Sequence, residues 1–253
     1  MSKIIAIANQ KGGVGKTTTA VNLAAAMARL GQEILLIDLD PQANATSGLG
    51  ISKELPENIY RVISEEIAID EAIIPTKVEW LDIIPSHLDL IGAEVELVNI
   101  ENRELKLRQV LSRLERVYSY ILIDCPPSLG ILTLNALSAS QSVIIPIQCE
   151  YYALEGLGQL LKTIELVQQN FNPQLYIGGI VLTMFDSRLN LAQGVIAEVK
   201  KFFGSRVCKS VIPRSVRLAE APSYGEPVIT YDKNSRGALA YLELAKEITR
   251  INE

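Results

Sequence analysis

The run Lys11-Gly12-Gly13-Val14-Gly15-Lys16-Thr17, flanked by Asn9-Gln10 and Thr18-Thr19, has the residue types and spacing of a cradle for a nucleoside triphosphate. Glycines let successive backbone N–H groups turn toward phosphate oxygens with no Cβ in the way, and a helix starting at this point adds its partial positive charge. Lys16 would neutralise the β and γ phosphates, and the Thr17 hydroxyl would hold Mg2+. The common pattern G-x-x-x-x-G-K-[ST] asks for glycine at position 10, but the chain has Gln10 there and a second cation, Lys11, beside it. Two neighbouring lysines repel each other unless phosphate meets both.

Carboxylates arrive at the ends of two apolar runs. Residues 34–38 end in Asp38, with Asp40 two positions on, and residues 120–124 end in Asp124. Open α/β sheets bind ligands outside the carboxyl ends of their strands, so Asp124 is the expected second Mg2+ position, acting through water.

The elements that must position these groups follow from periodicity. Residues 4–8 read as a buried strand, and 16–30 as an alanine-rich helix stopped by Gly31. Residues 43–87 are less regular, with short helices and a strand at 81–85. A helical stretch spans 88–117, its charges forming a solvated face over a core stripe. Strands at 142–147 and 177–183 flank a helix at 153–171, and a short strand at 210–213 leads into Arg214. The last helix, 235–251, carries Leu239, Leu242, Ala245 and Ile248 on one side. With no linker or break in composition, this alternation predicts one α/β domain over 1–253, a mostly parallel twisted sheet flanked by helices.

Composition bounds the function. The 253 residues are 48% hydrophobic, enough for a sizeable core. Cys125, Cys149 and Cys208 are odd in number, with no C-x-x-C spacing, and read as buried thiols in a reducing cytoplasm. Met1-Ser2-Lys3 leads directly into the first strand, leaving no room for a secretory signal, and no apolar run is long enough to span a bilayer, so a cytoplasmic protein is expected. His87 reads as a capping or surface residue. A net charge of −5 argues against a chain wrapped all over in nucleic acid, though a dimer could bring local basic patches together. Arg188, Lys200, Lys201, Arg206, Lys209, Arg214, Arg217, Lys233 and Arg236 supply such residues, and composition alone favours a scattered solvated surface.

The strings KGGVGKTTT (11–19), LLIDLDPQANAT (35–46), YILIDCPPSLG (120–130), QCEYYALEGL (148–157) and IPRSVRLAEAPSYG (212–225) resemble the ParA/Soj group of chromosome-partition ATPases across essentially the whole chain. The resemblance implies a P-loop NTPase with a deviant Walker A motif, using ATP and Mg2+, in which a homodimer sandwiches two ATP molecules. It also implies non-specific binding of double-stranded DNA on the nucleoid, ended by hydrolysis that a ParB-type partner stimulates. By the same resemblance Lys11 is the signature lysine that reaches across the dimer, Lys16 the Walker lysine, Thr17 the Mg2+ ligand and Thr18 a further phosphate contact. Gly12, Gly13, Val14 and Gly15 complete the ATP loop; Asp38 is a Mg2+-shell acid, Asp40 positions the attacking water, and Asp124 is the Walker B acid. Pro213 and Arg214 approach the adenine, and Arg188 and Arg217 face DNA.

Many plasmid relatives carry an N-terminal DNA-binding extension, whereas here the phosphate loop begins near residue 9, so operator binding is not expected. MinD, a membrane-cycling relative, ends in a basic amphipathic helix. Residues 242–253 instead set Glu243, Glu247 and Glu253 against Lys246 and Arg250, so no membrane partner is expected. An iron–sulfur reductase would need cysteine pairs, and Cys125 lacks a well-placed companion. An ATP-dependent metabolic ligase would need a substrate pocket that the sequence does not display.

Overall fold

Strands buried on both faces need helices on both sides, and the connections between successive apolar runs supply them. In the computed structural model, which describes residues 2–97, 100–150 and 157–251, the first half runs β1 (Lys3–Ile7), α1 (Lys16–Arg29), β2 (Ile34–Asp38), α2 (Asn44–Gly48), α3 (Ile59–Ile63), β3 (Ile74–Pro75), β4 (Leu81–Ile84), α4 (Leu90–Glu96) and α5 (Lys106–Leu111). The second half runs β5 (Tyr120–Asp124), α6 (Ile131–Ala139), β6 (Ser142–Gln148), α7 (Leu157–Asn170), β7 (Tyr176–Phe185), α8 (Asn190–Phe203), β8 (Val207–Pro213), α9 (Val216–Glu220), α10 (Val228–Tyr231) and α11 (Arg236–Ile251). Among the described residues the sheet has eight strands in the order β3-β4-β2-β5-β1-β6-β7-β8, and only the β3–β4 pairing is antiparallel.

β2 and β5 are buried at every position. Alternate strand residues serve opposite layers: Ile5, Ile7, Ile34 and Leu36 pack with α1 and α11, whereas Ala6, Ala8, Leu35 and Ile37 pack with α3, α5, α6 and α7. The chain leaves β1 for β2 on one side and leaves β5 for β6 on the other, so the order reverses around β1 and β5. Such a reversal opens a crevice at the carboxyl ends of the strands.

Three expectations are corrected. The stretch 88–117 is not one helix: α4 and α5 are separate, and Asn102, at φ +56°, has a left-handed backbone that a right-handed helix cannot propagate. On α11 the buried face is Ala238, Tyr241, Leu244, Ala245 and Ile248, while Leu239 is 52% exposed and Leu242 only half-buried. Tyr241 sets that face, because its ring can be buried once its hydroxyl meets Thr19 Oγ1 at 3.2 Å. Helix α8 was not expected at all. The predicted helix start at 153, the 151–156 part of the QCEYYALEGL string and Glu253 lie outside the described residues.

Among the described residues no helix is long and apolar enough to cross a membrane, and the three cysteines are free and buried. His87 Nδ1 accepts the Asp89 N–H at 3.2 Å, a local turn contact.

Candidate functional site

The loop between β1 and α1 takes the shape its glycines permit. Gly13 and Gly15 have φ of +72° and +87°, and the space where a Cβ of Gly12 or Gly13 would stand is open, so the loop presents bare backbone to a ligand. Two side chains outside the loop hold it. Buried Asn9 accepts the Lys11 N–H at 3.0 Å and donates to the Pro146 carbonyl on β6 at 2.7 Å. Thr183 on β7 donates its hydroxyl to the Val14 carbonyl at 2.8 Å. Buried Lys16 donates Nζ to the Lys11 carbonyl at 3.1 Å. Burial lowers its pKa, and nearby Asp124 works against that.

The acids are assembled by strand pairing. Register places Ile7 beside Asp124 and Asp124 beside Asp38, so both carboxylates reach the end of the sheet from which the phosphate loop departs. Both Asp124 oxygens are buried with no hydrogen-bond partner at ordinary geometry among the described residues, though the Thr17 hydroxyl is near enough to favour the ionised form. Burial first, and repulsion from Asp38 second, raise its pKa well above the carboxylate norm. An orphaned buried carboxylate next to a threonine hydroxyl suits a hard divalent cation, whose charge would remove the penalty.

Asp38 is buried too, but satisfied. Its Oδ2 accepts from the Thr46 N–H at 2.8 Å and the Thr46 hydroxyl at 2.7 Å, and Oδ1 accepts from the Asp40 N–H at 3.2 Å. Burial raises its pKa while these bonds restrain it. Asp40 is 7% exposed; its Oδ1 accepts the Gln42 N–H at 3.0 Å and its carbonyl accepts the Ser86 hydroxyl at 2.6 Å. Ser86 in turn donates its N–H to Thr46 Oγ1 at 3.0 Å, linking the two acids. Thr46 and Ser86 therefore position the two acids, and neither stands out in the sequence as a site residue. Thr46 at least sits eight residues after Asp38 within a quoted string; Ser86, beyond β4, gave no signal.

Beside the loop lies a cavity of about 200 Å3 bounded by Gly15, Thr18, Met184, Ile212, Pro213 and Arg214. Pro213 and Arg214 thus come to the site from the far edge of the sheet, and the Arg214 N–H is anchored on the Phe185 carbonyl at 3.0 Å. Arg188 and Arg217 are not among the residues lining this cavity. Arg188, its side chain 85% exposed, forms a two-pronged pair with Asp186 at 2.9 and 2.6 Å. Arg217 pairs with Glu220 at 2.9 Å and Asp232 at 3.4 Å. Both cations are half-exposed or more, and both already have carboxylate partners.

A family profile described as an AAA domain matches residues 2–177. Sporulation initiation inhibitor protein Soj of Bacillus subtilis (strain 168) is 57% identical over 249 residues, 98% of this chain and 98% of that one. Chromosome partitioning protein ParA of Myxococcus xanthus (strain DK1622) is 54% identical over 251 residues, 99% of this chain and 89% of that one. Among solved structures, cobyrinic acid a,c-diamide synthase from Mycobacterium smegmatis with bound ADP and magnesium matches with a TM-score of 0.88 at 38% identity, covering 99% of this chain and 95% of that one.

Proposed function

The chain belongs to the ParA/Soj family of chromosome-partitioning ATPases, and from that premise we propose that its ATP-bound form is a homodimer that holds double-stranded DNA without sequence preference until hydrolysis releases it. The observation that carries the ATPase chemistry is Asp124, buried without a partner beside Thr17 and Lys16. Thr17 and Asp124, with Asp38 behind them, hold Mg2+, whose charge offsets that of the β and γ phosphates. Loop N–H groups and Lys16 bind the phosphates, Thr18 adds a contact, and Lys11 serves the nucleotide of the second subunit. Asp40 orients the attacking water, and the Thr46–Ser86 link keeps that carboxylate in place. The cavity at Pro213 and Arg214 would take the adenine.

Arg188 and Arg217 exchange Asp186 and Glu220 for DNA phosphates, a swap whose free energy is small for exposed pairs and salt-dependent. A ParB-type partner stimulates turnover, and the protein works in the cytoplasm on the nucleoid. The diamide synthase shares the fold, but identity of 57% to a partitioning protein over nearly all of both chains, against 38% to the synthase, favours partitioning. A membrane role is disfavoured by α11: its apolar side packs on the core, and Glu247 accepts from the Lys209 and Ser210 N–H groups at 2.7 and 2.9 Å.

The test is retention of the pure protein on random-sequence duplex with ADP and then with ATP, over a salt series. ATP-dependent, salt-sensitive retention is expected. No retention with ATP at low salt would overturn the reading.

A further inference from the structure

A second cleft, of about 630 Å3, lies where the end of α1 meets the β3–β4 turn and the segment between α10 and α11. Its lining includes Arg29, Lys77, Glu79, Trp80, Lys233 and Asn234. It sits at the amino-terminal edge of β2 and β4, whereas the phosphate loop and the acids occupy the carboxyl ends of the strands. The volume is that of an ordinary small-ligand site, roughly 300–1,000 Å3.

Two features point to a ligand. Arg29, Lys77 and Lys233 are exposed, and among the described residues none has a carboxylate within ion-pair distance, although the chain as a whole carries −5. Arg29 also complements the carboxyl end of α1, but Lys77 and Lys233 have no such duty. The chain's only tryptophan, Trp80, is 49% exposed and has φ +68°, a left-handed backbone that is unfavourable for a residue with a Cβ. Its carbonyl accepts the Ile34 N–H at 2.9 Å, so the turn is held in this strained form by the sheet. The fold thus maintains a large aromatic surface in water, in a cleft that three cations also line.

An exposed indole and unpaired cations lining one cleft suit one chemistry: phosphate on the lysines and a base stacked on the ring. We propose that this cleft binds a nucleoside phosphate unit, free or within a single strand, at a site separate from ATP. Three cations against the single carboxylate of Glu79 leave the lining positive.

Because Trp80 is the only tryptophan, its fluorescence reports the cleft directly. Wild-type protein without ATP is titrated with thymidine monophosphate and with a short oligothymidylate. Saturable quenching that weakens with salt is expected; tighter binding of the oligonucleotide identifies a strand as the source, and equal binding a free nucleotide. Lys77→Ala and Lys233→Ala should each weaken binding and reduce the slope of log affinity against log salt for the oligonucleotide by about 0.7. Trp80→Ala, followed by anisotropy of labelled oligonucleotide, should weaken binding about fivefold or more. Lys16→Ala, which disables the ATP loop, should leave the quenching unchanged. Absence of quenching by either probe at low salt overturns the proposal, as does quenching that both lysine variants retain or that Lys16→Ala abolishes. Equal quenching by polyglutamate would assign the cleft to acidic peptide and overturn it too. Omitting ATP keeps this result separate from the ATP-dependent retention that tests partitioning.

Discussion

Replacing Asp124 with asparagine should reverse the order of stability between the free and the nucleotide-bound protein. The carboxylate is buried, lacks a hydrogen-bond partner, and faces Asp38 across the β2–β5 pairing. Of the influences on its ionisation, burial and Asp38 repulsion rank above or against the help from Thr17, and Lys16 contributes least. An isosteric neutral side chain removes the dominant penalties and forfeits the smaller help from Thr17 and Lys16. Asparagine still leaves a neutral polar group unpaired there, so the gain for the free protein is only the excess cost of the charge, on the order of 1–3 kcal/mol. For a chain of this size that corresponds to roughly 2–12 °C in Tm. Wild type should recover more than this with Mg2+ and ATP, about 4.1 kcal/mol at a thousandfold excess over Kd, whereas the variant should gain little. Scanning calorimetry of both proteins, free and with Mg2+ and ATP, should therefore give melting curves that cross. The pH dependence has a definite sign. A carboxyl whose pKa is raised on folding binds its proton more tightly in the folded state, so wild-type stability falls as pH rises from the unfolded value near ~4. The advantage of the variant should be absent in acid and grow toward neutral pH. A free Asp124→Asn protein no more stable than wild type at neutral pH, or one stabilised equally by Mg2+ and ATP, would refute the assignment.

Asp40→Ala should trap an ATP-bound dimer with turnover largely lost, because Ser86 bonds the backbone carbonyl of residue 40 and the turn survives truncation; size-exclusion chromatography with ATP showing only monomer would contradict this. Thr46→Val leaves Asp38 with a backbone donor but removes the hydroxyl that also accepts from Ser86, and should cost about 1–3 kcal/mol in denaturant unfolding while lowering kcat more than ATP affinity. Arg188→Glu and Arg217→Glu should weaken binding to unrelated duplexes about equally, and each lost contact should lower the salt slope by about one. ATP binding by calorimetry should be unchanged in both, and if both still bind DNA as wild type does, Lys233 and Arg236 become the residues to test.

The positions of the glycine-rich loop and of the three acids in the fold were legible because their signals are local: glycines at fixed offsets, a lysine and threonine at a helix start, and apolar runs that end in aspartate. The stop of α1 at Gly31, with φ +83°, was legible for the same reason. Partners distant in the chain were not. Asn9 reaches Pro146 across 137 positions, Thr183 reaches Val14 across 169, and Tyr241, which belongs to the buried face of α11 where Leu239 does not, meets Thr19 across 222. Sequence also placed Asp38 and Asp124 at strand ends without saying that those strands are neighbours. Only the insertion of β5 between β1 and β2 puts the two carboxylates side by side. Strand order is decided by which faces can be covered and which backbone ladders completed in three dimensions, and neither is a property of any short stretch of chain.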